Sequence, residues 1–204
     1  MSETSTAQRK RVLDGARTVF ARYGFRKATM EDIAREAGVS RPALYQWFDG
    51  KRAVFQALAE LVAAEALSAA DAAWPEAAGL AEGLPAAILA KDLPLYRLLH
   101  ASPHGAELLA VDAALAALLA TDLEAAFATL LAGKARHLPG LDLAALGGAD
   151  GFGTTVARLA AGLKATAASE GEYVDDVRRL CRLAAAACGV TERTLRPGRI
   201  AAPP

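Results

Sequence analysis

Between Thr29 and Lys51 the chain reads TMEDIAREAGVSRPALYQWFDGK, a stretch that concentrates groups able to hold a nucleic acid. That task takes some groups that bind phosphates and others that reach base edges. Ser40, Arg41, Pro42, Ala43, Tyr45, Gln46 and Trp47 fall within two helical turns. The Arg41 guanidinium can donate twice, to guanine O6 and N7, and Gln46 can pair with adenine. Pro42 and Ala43 are small apolar surfaces that suit a thymine methyl. The Tyr45 hydroxyl suits a phosphate oxygen. Lys51 sets a positive charge at a helix start, where free N–H groups already favour an anion. Thr29 offers a hydroxyl and N–H groups to a second phosphate. Arg26 and Lys27 add non-specific attraction, or are simply solvated charges.

The elements that must position these groups follow from local signals. Thr29 is a good N-cap, and Glu31 and Asp32 place negative charge in the first turn. Ile33, Ala34 and Ala37 share one face, and Gly38 is a helix stop. Ser40 caps the next helix, with Pro42 near its start. Leu44 and Phe48, four apart, turn inward. Helix, glycine-containing turn, helix is the helix-turn-helix pattern, whose second helix can enter a major groove. A first helix is expected from about Ala7 to Tyr23, ended by Gly24. Its stripe of Val12, Ala16, Val19, Phe20 and Tyr23 supplies a third wall. The expected core is Val12, Phe20, Ile33, Val39, Leu44, Phe48 and Phe55. A fourth helix, from Lys51 to about Ala73, joins this head to the rest.

The run from Ile33 to Lys51, IAREAGVSRPALYQWFDGK, resembles the DNA-binding signature of TetR-type transcriptional regulators, and the likeness extends from about Arg11 to Phe55. The resemblance implies that Thr29, Tyr45 and Lys51 hold the DNA backbone. It implies that Arg41, Pro42 and Ala43 meet bases. Trp47 stands where the family often has tyrosine or histidine, and its indole N–H can reach a phosphate. Pro42-Ala43 replaces a frequent glycine-threonine pair, which removes a hydroxyl from the reading surface. It further implies a homodimer, a double-stranded operator and a small-molecule effector that shifts the two heads.

Composition sets the frame. The 204 residues carry no net charge, and 53 % are hydrophobic, much of that alanine. Alanine, leucine, glutamate and arginine favour helix, and few runs alternate with period two. The expectation is an all-α protein, with residues 1–50 as DNA-binding domain and 51–204 as effector-binding and dimerisation domain. Charge is unevenly spread: residues 1–55 hold eleven Lys and Arg against six Asp and Glu, a net +5, leaving −5 for the remainder. A basic head on an acidic body fits a phosphate-binding module attached to something else. Neither a signal peptide nor a long strongly apolar run is apparent, so a cytoplasmic protein without a membrane partner is expected.

The body reads as about five further helices: one over Leu84–Ala101 that Pro94 divides or kinks, a short one from Pro103 to Leu109, one over Asp112–Ala135, and two more. Gly147, Gly148, Gly151 and Gly153 mark an irregular stretch. The last two helices carry apolar stripes, Phe152, Val156, Leu159, Leu163 and then Val177, Leu180, Cys181, Ala184, Cys188. These stripes either complete the monomer core or, with a second copy, make a four-helix bundle; the TetR resemblance favours the dimer. Leu95, Tyr96, Leu99, His100, Leu108, Leu119, Phe127 and Phe152 are candidates to line a pocket for a partly hydrophobic effector. No catalytic set, cofactor motif or metal site is expected. His100 and His104 are four apart, but Ser102-Pro103 interrupts their helix. Cys181 and Cys188, two turns apart, read as small core residues. An activating or architectural DNA-binding protein without a ligand is the nearest alternative, and a small helical enzyme or carrier a more distant one.

Overall fold

The computed structural model describes residues 3–101 and 113–190. Among them the chain is wholly helical. The order is α1 (Glu3–Lys27), α2 (Met30–Ala37), α3 (Arg41–Tyr45), α4 (Lys51–Ala73), α5 (Leu80–Ala101), α6 (Ala113–His137), a 3-10 turn (Ala144–Leu146), α7 (Gly148–Thr166) and α8 (Glu170–Ala187). The expected segment Pro103–Leu109, with His104 and Leu108, lies outside the described residues, as does the tail from Arg196. Two compact units divide the chain: Met1–Ala66 with Asp92–Asp122, and Leu67–Lys91 with Leu123–Pro204.

In the first unit α1 to α3 and the start of α4 enclose one apolar core. Val12, Ala16, Phe20, Ile33, Leu44 and Val54 are almost without exposure, and Phe25, Val39, Trp47 and Phe55 pack around them half-buried. Phe20, Phe25 and Phe55 form an aromatic triangle with centroid separations of 5.6, 5.6 and 5.3 Å. Gly24, at φ 71° and ψ 167°, interrupts the helix where expected, and a short last turn through Lys27 follows it and delivers Phe25 to the triangle. Gly15 allows α2 close: a Cβ there would lie 3.0 Å from the Ala37 nitrogen. Arg17 on α1 donates to Glu65 on α4 at 2.6 Å.

α4 is long and apolar enough to cross a membrane by length and composition. Alanine accounts for much of this, and the ion pair at Glu65 marks one face as a protein surface. α5 starts a turn earlier than expected, at Leu80, and runs through Pro94 undivided.

The second unit packs its core around Trp74, Leu84, Ile88, Phe127, Leu131, Phe152 and Tyr173. Gly151 and Gly153 lie inside α7, not in the irregular stretch expected of them. Gly153 explains itself by proximity, since a Cβ there would sit 2.2 Å from the Ala128 carbonyl oxygen of α6. The irregular part is confined to the 3-10 turn and to Gly147 and Gly148, both with positive φ. Ser169 caps α8 by accepting from the Glu172 N–H at 3.1 Å.

Candidate nucleic-acid interface

The turn between α2 and α3 fixes the reading surface. Thr29 and Asp32 form a reciprocal capping box at the head of α2. The Thr29 hydroxyl accepts from the Asp32 N–H at 3.1 Å and donates to Asp32 Oδ2 at 2.6 Å, while the Thr29 N–H donates to the same oxygen at 3.1 Å. Those hydrogen bonds hold the Asp32 carboxyl below the usual carboxylate range, the Thr29 hydroxyl contributing most. Arg35 also binds Asp32. Thr29 thus places α2, and its hydroxyl is already committed. At the other end Gly38 takes φ 65° and donates to the carbonyls of Ala34 and Arg35. Ser40 then accepts from the Ala43 N–H at 3.3 Å and starts α3.

α3 is short, but its hydrogen bonding continues through Phe48, whose N–H donates to the Leu44 carbonyl at 3.1 Å. Leu44 and Phe48 are buried and fix its rotation. Ser40, Arg41, Pro42, Tyr45 and Gln46 are thereby exposed, while Ala43 and Trp47 are half-buried. The Arg41 guanidinium lies 5.7 Å from the Tyr45 ring centroid, so these two groups share the outer surface. Trp47 belongs partly to the core. The structure thus brings Ser40, Arg41, Pro42, Tyr45 and Gln46 together as an accessible set.

Lys51 departs from the outward phosphate-binding ammonium that was expected. Its Nζ donates to the carbonyls of Phe25 (2.6 Å), Arg26 (3.1 Å) and Ala28 (2.8 Å). It also lies 4.6 Å from the Phe25 ring centroid. An ammonium has three protons, so this one closes the C-terminal end of α1. What the position still offers an anion is the N-terminal end of α4 itself. Two further supports were missed in the sequence. Arg9 sits 5.4 Å from the Phe48 centroid, and Arg17 pairs with Glu65. Their charge was visible, but partners 39 and 48 residues away were not.

The other expected residues fall as follows. Tyr96 and His100 stack at 3.9 Å in the first unit. Leu95 and Leu99 lie on α5 and Leu119 on α6. Phe127 and Phe152 are fully buried in the second unit, and the buried Lys91 ammonium lies 4.6 Å from the Phe127 centroid while donating to Glu124 at 3.0 Å. Of the stripes expected at a dimer face, Phe152, Val156, Val177, Leu180, Cys181, Ala184 and Cys188 are buried within the chain and Leu163 is half-buried. The large apolar residues that α7 and α8 leave exposed are Leu159 (49 %) and Leu183 (71 %). Burial pushes the Cys181 thiol up to about 12, and it raises Cys188 with help from Asp142. Neither is primed as a nucleophile.

Comparison with known proteins agrees with this geometry. Residues 12–58 match the family model of the bacterial regulatory proteins of the tetR family. The HTH-type transcriptional repressor Rv1474c of Mycobacterium tuberculosis is 47 % identical over 53 residues, which is 26 % of this chain and 28 % of that protein. The HTH-type transcriptional regulator SrpR of Pseudomonas putida is 48 % identical over 50 residues, 24 % of each. The chain therefore matches less than a third of the length of these curated relatives. Solved structures share the fold along nearly the whole chain. A transcriptional regulator from Rhodococcus has a TM-score of 0.65 at 17 % identity, covering 90 % of this chain and 98 % of its own. SmeT, the repressor of the Stenotrophomonas maltophilia multidrug efflux pump SmeDEF, has a TM-score of 0.62 at 22 % identity, covering 96 % of both chains. The fold is an amino-terminal helix-turn-helix domain followed by a helical domain. Residues 12–58 thus carry the amino-terminal DNA-binding domain of the tetR family of bacterial regulatory proteins, and over the rest of the chain the likeness is one of fold. The family and these relatives are transcriptional regulators and not enzymes.

Proposed function

We propose that this protein is a cytoplasmic DNA-binding transcriptional regulator that acts as a homodimer on a pseudo-palindromic operator. Its action is repression, relieved when a small, partly hydrophobic effector binds the helical domain. The observation that carries the reading is the exposed set Arg41, Pro42, Tyr45 and Gln46 on a helix whose rotation is fixed by buried Leu44 and Phe48. Arg41 and Gln46 read base edges, Pro42 packs on a thymine methyl, and Tyr45 holds a phosphate. The start of α4 takes a second phosphate. Two similar proteins are repressors by name, which supports the sign of regulation. A second copy meets the α7–α8 pair through Leu159 and Leu183, because the remaining stripe residues are used inside the chain.

Selection of bound duplexes from a random pool by the full-length protein tests this reading. It is expected to enrich an inverted repeat whose half-sites share a guanine. Uniform, salt-dependent retention of all sequences would overturn it. Sedimentation of wild type beside Leu159→Glu/Leu183→Glu checks the dimer, which the double variant is expected to dissociate.

A further inference from the structure

The second unit contains a cleft of about 550 Å³ between the α4–α5 turn and the C-terminal end of α6. That volume lies within the range of about 300–1,000 Å³ in which small-molecule sites fall. Pro75, Leu130 and Leu138 give it an apolar lining, beside the buried Trp74. Trp74 is locked there: its Nε1–H donates to the Ala78 carbonyl at 3.2 Å, and Gly83 leaves room for its ring.

The polar lining is unbalanced toward negative charge. Lys134 is already engaged, since its Nζ lies 2.6 Å from Asp71 Oδ1 and donates to the Trp74 carbonyl at 2.8 Å. Asp71 and Lys134 cancel. Glu76 also lines the cleft, is exposed, and makes no ion pair among the described residues. The His137 Nδ1 lies 2.8 Å from the Gly133 carbonyl oxygen and donates to it. Helix α6 ends at this place, at His137, whereas the end of α4 at Ala73 is already closed by the Lys134 ammonium. The C-terminal end of a helix carries partial negative charge and favours a cation.

We propose that this cleft binds a small amphipathic cation. An amine head, protonated or quaternary, sits against Glu76 and the C-terminal end of α6, and its apolar part lies on Pro75, Leu130 and Leu138. Its use as an effector site rests on the regulator reading, but its occupancy does not. Glu76 supplies the charge selectivity and the apolar lining supplies the contact area. A neutral molecule of the same length gains only the second, and a carboxylate meets repulsion.

Calorimetric titration of the full-length protein with octylammonium, octyltrimethylammonium, octanol and octanoate, at fixed ionic strength, tests the assignment. Both cations are expected to bind more tightly than octanol, and octanoate least. Glu76→Gln is expected to weaken the cations about fivefold, the scale of one exposed ion pair, and to leave octanol unchanged. Gly133→Phe is expected to abolish binding of all probes: Gly133 lines the cleft, and a Cβ there meets nothing within 4 Å, so the new side chain starts into open space. Octanoate binding as tightly as octylammonium would overturn the proposal, as would undiminished cation binding by a folded Gly133→Phe protein. The titration contains no DNA, so a protein that selects no operator would overturn the regulator reading and leave this one standing.

Discussion

Two lysines, one in each compact unit, close helix ends by the same chemistry with different results. Lys51 donates to the carbonyls of Phe25, Arg26 and Ala28 where α1 ends. Lys134 donates to the Trp74 carbonyl and pairs with Asp71 where α4 ends. In the first unit the closure completes a sealed core, with Phe25 joined to Phe20 and Phe55. The proposed reading residues there, Arg41, Tyr45 and Gln46, stand exposed on the outer surface. In the second unit the closure leaves a cleft beside it. That concavity is the proposed ligand site. A lysine at a helix end therefore says little alone; what surrounds the capped carbonyls decides whether it seals or frames a site.

The largest expected effect comes from Gly153→Leu in the second unit. The new Cβ would lie 2.2 Å from the Ala128 carbonyl oxygen, and backbone cannot step aside cheaply. The cost is expected to be about 3 kcal/mol, read by chemical denaturation. An unchanged midpoint would contradict the close α6–α7 approach. Next comes Lys51→Met, which keeps much of the apolar stem but strips three carbonyls of their donor. A loss of about 2 kcal/mol in stability is expected, with a matching loss of DNA affinity for every sequence. If affinity fell while stability did not, the ammonium would be a phosphate contact after all. The smallest effect concerns Asp32, whose carboxyl is held below its ordinary value chiefly by Thr29. A depressed carboxyl adds stability at pH values above its unfolded pKa, and that contribution is lost as pH falls through the lower folded value. Asp32→Asn is expected to lower Tm at neutral pH, and the gap to wild type should close in strong acid. A gap that stayed constant would deny the carboxylate its part in the cap.

The head was legible because its signals are local. Thr29, Asp32, Gly38 and Ser40 act within four residues of themselves, and their expected caps are present. The inward turn of Lys51 was not legible. It depends on the short turn that follows the break at Gly24, and on carbonyls 23 to 26 residues back. In the body, glycines are ambiguous by type: Gly147 marks a turn, while Gly153 marks a close helix crossing that only packing reveals. Apolar period places one face of a helix inward but does not say which neighbour covers it. For that reason the stripes through Phe152 and Val177 read equally as core and as dimer face. The Lys134–Asp71 pair joins residues 63 apart, beyond any local pattern.

Arg41 is proposed to read a base on a frame that Lys51 holds. Binding specificities of wild type, Arg41→Ala and Lys51→Met, selected in parallel from one random duplex pool, test it most directly. For Arg41→Ala the account predicts unchanged thermal stability and an unchanged inverted repeat, with the guanine preference relaxed at one position per half-site by about 1–3 kcal/mol. For Lys51→Met it predicts the wild-type preference at every position with uniformly weaker binding. Identical preferences for wild type and Arg41→Ala would contradict it.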